Sequence, residues 1–524
     1  MSETPSTPNV AKAGGIMMAS LLLSRVLGIL RDTVMAAKFG VSIETDAYRL
    51  AFMIPDLIFF AVAGGALSSA FIPVFSELLH TNREKDAWKL FSVVVTVMSV
   101  ILIALIALAW VFALPLAHLI APGKPDDVLP LIAQMSRIVL PAQYAFFIGG
   151  LMFGTLYAKQ RFVMPGLAPN IYNLGIIFGA LVLSSFMVPG IVGMSWGAAI
   201  GALAGNLLLP LFAMRAIGVQ FKPSLDVKAE GVGKVFRLML PVVLGLSLPG
   251  VYGLITQAFG TYYQAGINTA LDLSNKLMQA PLGIFGQSLA LAVFPALTQF
   301  FAQDRMDMFR QQLGSTLRTV IFLTVPISVG MFVLAPEIVA LAFQYGKARD
   351  ADLPALINCL RMFSFGIFAW CLHPVLMRAF FAVQQTVSPI VMGTIATGVS
   401  LGLVYTLKET ALGYLALPLA SSIAAVVLAF LLLVAVRNRI GGLDIKGITQ
   451  TLAKSAFASI PFGVVLYLAV HYLPEGTGIG RNLLAAVKVV GIGTVAAWVY
   501  YFGAKKLGMS ETDYVTRALK RNRG

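Results

Sequence analysis

Gly14-Gly-Ile-Met-Met-Ala-Ser-Leu-Leu-Leu-Ser-Arg-Val-Leu-Gly-Ile-Leu-Arg-Asp-Thr-Val-Met-Ala-Ala-Lys-Phe39 decides how the whole chain is read. About 20 mostly apolar residues, rising roughly 1.5 Å each, cross the hydrocarbon core of a bilayer. This stretch is long enough to do so, yet it carries Arg25, Arg31 and Asp32. Ionisable groups inside such a span are costly and face a protein interior or a water-filled cavity. Segments of the same kind recur to the end of the 524 residues, 58% of which are hydrophobic and only 12% charged. The mean hydropathy is +0.85. These values exclude a string of soluble domains and predict an all-α polytopic membrane protein.

Fourteen spans are expected: 14–38, 46–79, 88–118, 128–158, 164–187, 190–216, 233–260, 268–302, 309–342, 353–384, 388–407, 410–436, 448–473 and 482–507. Several exceed the bilayer thickness, so tilts, kinks or extension into water are expected. Lys and Arg collect in alternate loops, for example Arg83, Lys85 and Lys89, then Lys222, Lys228 and Lys234, then Arg437, Arg439 and Lys446. The opposite loops are poorer in bases and carry Glu44, Asp126, Asp127, Asp350, Asp352 and Glu475. By the positive-inside rule both termini are cytoplasmic. The net charge of +15 is mostly this topology signal, which makes nucleic acid an unneeded partner. Residues 1–13 read as a polar, disordered cytoplasmic tail and 508–524 as a basic one. Cys359 and Cys371, the only cysteines, lie twelve positions apart in one helix. That is about 18 Å, too far to pair, so they are read as packing residues.

The chain repeats itself. Tyr157-Ala-Lys-Gln-Arg-Phe-Val-Met-Pro165 matches Phe381-Ala-Val-Gln-Gln-Thr-Val-Ser-Pro389, and Gly64 to Pro73 matches Gly286 to Pro295 at almost the same offset along the chain. Two six-span lobes are therefore expected, an N-lobe over 14–222 and a C-lobe over 223–446, with 447–507 as an added helix pair. Parallel repeats of this kind build transporters that bind substrate near mid-membrane.

Polar stripes name the candidate site. In the first span Gly14, Met18, Leu21, Arg25, Gly28 and Asp32 share a helical face, with Arg31 on its flank and Arg25 about 16 Å deep. In the eighth span Asp272, Asn275, Lys276, Gln279, Gly283, Gly286 and Gln287 follow helical spacing, interrupted by Pro281. Arg49 and Asp56 flank Pro55 in the second span; Arg361, His373 and Arg378 lie in the tenth. Arg forks and a Lys point charge suit phosphate oxygens. Against this stands a plain packing role: Arg25 or Arg31 paired with Asp32 or Asp56, and Lys276 neutralised by Asp272 one turn away. Gly28, Pro55 and Pro281 are placed to bend during gating. Asp32 and Glu337 are the acids placed to bind a cation or proton. No phosphate-binding loop of the G-x-x-x-x-G-K-[ST] type and no His-Glu-x-x-His occurs, so a transporter is expected rather than an enzyme. No cofactor is expected, and coupling falls to a monovalent cation or the membrane potential.

Ser24-Arg-Val-Leu-Gly-Ile-Leu-Arg-Asp32, Lys38-Phe-Gly40 and Thr45-Asp-Ala-Tyr48 resemble the opening of the MurJ (MviN) lipid II flippases. Gly65 to Pro73, Arg161-Phe-Val-Met-Pro-Gly-Leu-Ala-Pro-Asn170, Phe343-Gln-Tyr-Gly-Lys347 and Arg378-Ala-Phe-Phe-Ala382 follow in order, so the resemblance runs from Ser24 to Ala382. It implies fourteen spans in the fold of the multidrug and polysaccharide exporters. It also implies movement of the polyprenyl-linked peptidoglycan precursor to the outer leaflet of the inner membrane, and so a part in cell-wall biogenesis and cell shape. Lipid II, membrane lipids and the cell-wall synthesis machinery are the implied partners. The family's cavity arginines match Arg25 and Arg31, its acid at the start of span two matches Asp46, and its span-eight base is Lys276. The resemblance further implies that 448–507 lines a groove for the polyprenyl tail. Phe59-Phe60 and Gln279 stand where the family commonly has charged residues. The diphosphate is thus expected on Arg25, Arg31 and Lys276, with Asn275, Gln279, Asp46, Arg49 and Asp56 meeting the rest of the head group. Rival readings are a flippase for another polyprenyl-linked glycan, a drug/cation antiporter and a non-transporting scaffold.

Overall fold

The computed structural model describes residues 7–62, 66–159, 161, 163–348, 353–385, 387–473 and 479–513, and the regular structure among them is helical. The chain divides into two compact units, Met1–Asn268 and Thr269–Gly524.

In the first unit α1 (Thr7–Phe39) is followed, over the expected second span, by α2 (Ile43–Ala51), α3 (Met53–Val62) and α4 (Ala66–His80). Then come α5 (Glu84–Val111), the short α6 (Ala113–Ile120), α7 (Leu129–Ala158) and α8 (Val163–Leu181). α9 (Val192–Ala202) passes through a π turn, Leu203–Leu208, into α10 (Leu209–Ala216), and α11 (Val232–Gly260) closes the unit. α8 and α9 approach closely through glycines: a Cβ on Gly179 would lie 2.4 Å from the Gly193 carbonyl oxygen. Small residues permit such contacts where lipid offers helices no hydrophobic driving force.

In the second unit α12 (Ile267–Pro281) meets a π turn, Leu282–Gln287, and continues as α13 (Ser288–Ala302). α14 (Met306–Val333) and α15 (Ala335–Phe343) follow, then α16 (Leu353–Ser364), bent by 49° from α17 (Ile367–Ala382). α18 (Val387–Leu407) and α19 (Ala416–Arg439) complete the repeat. α20 (Ile445–Tyr472), α21 (Ile479–Ala486), a π turn at Val487–Ile492 and α22 (Gly493–Lys506) form the added pair. That pair packs on α14: Phe462, Leu466, Ala496 and Tyr500 share a buried cluster with Phe322, and the Tyr500 hydroxyl donates to the Phe322 carbonyl at 2.7 Å.

Ten described helices are long and apolar enough to cross a membrane, and the bent α16/α17 pair makes an eleventh. The other three expected spans coincide with α1, with α2 to α4 and with α11. The duplication is visible in the helix ends. α7 ends at Ala158 and α17 at Ala382, at the offset that relates Tyr157 to Phe381. Asn82 and Asp304, at the offset that relates Gly64 to Gly286, both adopt a positive φ, 58° and 55°.

Three features lie at the expected boundaries. Within the expected N-terminal tail the chain is helical from Thr7, with Pro8 in the first turn, where a missing N–H costs nothing. Past 222, where the N-lobe is expected to end, α11 packs on α3 and α4, with Lys234 donating to Glu77 at 2.6 Å. Beyond α22 the chain does not leave as a free tail at 508, because Met509, Glu511 and Thr512 are buried. Gly64, Gly65, Asp350, Asp352 and Glu475 lie outside the described residues.

The connection between α10 and α11 is strapped along α5. Ser92 and Thr96 hydroxyls accept from the Lys222 and Ser224 N–H groups at 3.1 and 3.2 Å. Lys89 pairs with Asp226 at 2.8 Å, and Arg83 holds Glu230 with both forks. The Arg83 hydrogen bonds hold the Glu230 carboxyl below its ordinary range, and Lys89 does the same to Asp226. A depressed carboxyl contributes stability above its unfolded value, near pH 4, and loses it as pH falls through the folded value. A nitroxide at exposed Val227 should therefore stay restrained at neutral pH and become mobile below about pH 4. Unchanged mobility at lower pH would assign the hold to Ser92 and Thr96 alone.

Candidate functional site

Asp32 is buried and organises the first cluster. Arg31 reaches it through Nε at 3.1 Å, and Arg49 of α2 through Nη2 at 3.0 Å. Arg31 Nη1 also donates to Asn173 Oδ1 of α8 at 3.1 Å. Asn173 in turn donates to the Ser24 and Pro169 carbonyls, and Asn170 donates to Ser20 Oγ at 2.7 Å. α8 thus fixes the rotation of α1 through two amides three positions apart. Two guanidiniums therefore meet on the Asp32 carboxylate. Arg31, expected on the diphosphate, directs its fork to Asp32 and Asn173. Asp32, expected as a cation or proton site, is met by the Arg31 and Arg49 guanidiniums.

Arg25 differs. It is exposed within the first unit and makes no ion pair among the described residues. Leu21 on the same stripe is exposed too, and a Cβ on Gly28 would meet nothing within 4 Å. The stripe is therefore open from Leu21 to Gly28 and closes at Asp32. Gly28 is not required by packing, so its place in gating is not a matter of close contact.

Asp46 sits in the first turn of α2, which Ser42 and Thr45 cap reciprocally. Its side chain is 0% exposed and pairs at 2.6 Å with Lys124, itself 2% exposed. It also accepts from the Gly266 N–H at 2.8 Å. Asp46, expected to meet the head group, is fully buried here, and both of these interactions are internal to the first unit. Pro55 lies in the first turn of α3, just past the break at Phe52. Asp56 is half-buried beside it.

In the second unit the expected stripe is accessible at Asn275, Lys276 and Gln279, the last of them exposed. Lys276 pairs with Asp272 at 2.9 Å, the packing alternative, although both side chains keep about a quarter to a third of their exposure (33% and 24%). Gly286 leaves the stripe: a Cβ there would lie 3.0 Å from the Cys371 backbone of α17. Pro281 ends α12 and the π turn follows immediately, so the helix changes its winding where it was expected to bend. Glu337, in the first turn of α15, meets Lys488 at 3.4 Å, with side-chain exposures of 9% and 5%. The Lys488 ammonium thus lies beside the carboxylate expected to bind a cation or proton. His373 is half-buried against Trp370. Cys359 and Cys371 are buried and free, as read.

Sequence reasoning missed Lys124, Asn173 and Lys488. The three-position spacing of Asn170 and Asn173 could have revealed one polar face on α8. Lys124 and Lys488 carry no local signal, because their partners, Asp46 and Glu337, are far away along the chain.

Two helical units that repeat one another, with helices long and apolar enough to cross a membrane, define a polytopic membrane protein. The fold is shared with an inward-facing multidrug resistance MATE family transporter of the MOP superfamily, at a TM-score of 0.64 and 14% identity, over 83% of this chain and 99% of that one. It is also shared with a lipid II flippase MurJ in an inward closed conformation, at a TM-score of 0.77 and 23% identity, over 94% and 99%. The model of the family described as lipid II flippase MurJ matches residues 35–485. A probable lipid II flippase MurJ of Buchnera aphidicola subsp. Acyrthosiphon pisum is 30% identical over 370 residues, 70% of this chain and 72% of that protein. The chain belongs to the lipid II flippase MurJ family.

Proposed function

We propose that this chain carries lipid II, the polyprenyl-diphosphate-linked peptidoglycan precursor, from the cytoplasmic to the outer leaflet of the bacterial inner membrane by alternating access. The family match over residues 35–485 carries the reading. Arg25 supports it at the level of residues, as a guanidinium on a spanning helix with no ion pair among the described residues. Arg31 and Asp32, joined by Arg49 of α2, lie about two turns further along α1. Lys276, Asn275 and Gln279 would meet other polar groups of the head. Both termini are placed in the cytoplasm, on the side of the Arg83 and Arg437 loops. Transport would draw on a monovalent cation or on the membrane potential, worth about 2.3 kcal/mol per charge per 100 mV.

Arg25→Ala should reduce leaflet-resolved lipid II translocation about 10- to 100-fold, the loss of one charged hydrogen-bonded contact. It should fail to complement a flippase-depleted strain while inserting normally, and Arg25→Lys should recover part of the activity. Lys276→Ala should also fail. Normal growth with both alanine variants would remove the proposed roles. If translocation of lipid II continues after rapid inactivation of the chain, the substrate is wrong.

A further inference from the structure

The first unit has a second feature that the diphosphate reading does not use. A crevice of about 480 Å³ opens between α5, α7 and the π turn before α10, lined by Ile103, Ile106, Ala107, Trp110, Tyr144 and Leu203 among others. Its lining is apolar, and the one hydroxyl in it, on Tyr144, is satisfied by Ser99 at 3.1 Å. One end is cationic. Arg137 stacks over the Trp110 ring, 5.4 Å from its centroid, and donates through Nε to the Trp110 carbonyl at 3.0 Å. It stands on the same face of α7 as Pro141 and Tyr144, which line the crevice.

We infer that this crevice is a binding site for an anionic phospholipid, with one acyl chain between α5 and α7 and the phosphate on Arg137. The plain alternative is that Arg137 merely caps α5, whose last carbonyls lack helical partners. Capping uses one N–H of a guanidinium that has five. No acidic side chain pairs with Arg137 among the described residues. Depth also fits. α7 has 30 residues, about 45 Å, against a hydrocarbon core of about 30 Å. Arg137 lies eight positions, about 12 Å, from its first residue. An end overhanging by several ångströms puts that guanidinium just under the head groups, within reach of a phosphate by its flexible stem. Trp110 beside it belongs at the same level. The inference rests on the orientation proposed above only for naming the leaflet, which is then the outer one.

The test uses the full chain in liposomes with phosphatidylglycerol that carries a photoreactive diazirine in its acyl chain. Labelling is expected to concentrate on the peptides around Ala107 and Leu203. Arg137→Gln should reduce it about fivefold, the ~1 kcal/mol of one cation near a lipid surface. Ala107→Phe, which fills the crevice and leaves Arg137 in place, should abolish it at an unchanged thermal midpoint. Phosphatidylcholine with the same chain should label about fivefold less. Equal labelling by the two lipids, or labelling indifferent to both variants, overturns the site. So does labelling by a photoreactive polyprenyl phosphate where phosphatidylglycerol gives none. Both leaflets contain the probe, so a wrong orientation would leave the labelling intact.

Discussion

Lys124→Met lowers the stability of the chain by about 3–5 kcal/mol, the cost of leaving one partner of a buried ion pair uncompensated. Asp46, 0% exposed, loses the ammonium that lay 2.6 Å away and still accepts from the Gly266 N–H. Adding Asp46→Asn should restore part of the loss, because an amide oxygen still accepts from Gly266 while no charge remains. The surroundings leave little room to relax. Gly266 holds φ at +90°, and a Cβ there would lie 2.8 Å from the Val41 carbonyl oxygen. A Cβ on Gly123, next to Lys124, would lie 2.6 Å from the Tyr262 backbone. Three connections, before α2, before α7 and after α11, therefore close on one buried pair. Thermal midpoints in detergent should rank the single variant lowest, the double variant between, and the unaltered protein highest. A single variant that melts with the unaltered protein would show that the pair holds nothing.

Most of the fold was legible because spanning helices declare themselves locally. Length and apolarity located the ten helices and the bent α16/α17 pair that qualify as spans among the described residues, and the nearly constant offset between matching stretches revealed the duplication that Asn82 and Asp304 repeat in backbone conformation. What was not legible was assignment across distance. The span over 233–260 reads as the start of a second lobe, yet Lys234 and the strap before it tie α11 to the first unit. The candidate site was legible as a set of charges but not as pairs. Asp32 could have taken Arg25 or Arg31 from helix α1 alone; the third guanidinium, Arg49, arrives from another helix and decides the arrangement. Asp46 reads as an acid at the start of span two, and only the fold brings Lys124 to it. Lys276 and Asp272 were the easiest, being one turn apart.

The pair formed by Glu337 and Lys488 should behave as a coupled unit whose charges are dispensable together and not singly. Glu337→Gln strands a buried ammonium and should cost about 3–5 kcal/mol. Lys488→Met should cost less, because Glu337 lies in the first turn of α15, where the helix terminus also favours a negative charge by about 0.3–1 kcal/mol. The double variant should fall well short of the sum of the two, since replacing both members of a buried pair by neutral groups is often nearly free. Unfolding free energies in a double-mutant cycle measure the coupling. The same double variant separates packing from transport. Lys488 comes from the π turn before α22, so the contact joins the added helix pair to α15 inside the second unit. If that is its whole role, the double variant translocates lipid II at the unaltered rate. A double variant that folds normally but no longer translocates would return Glu337 to the transport cycle as the group that trades its ammonium for a coupling cation.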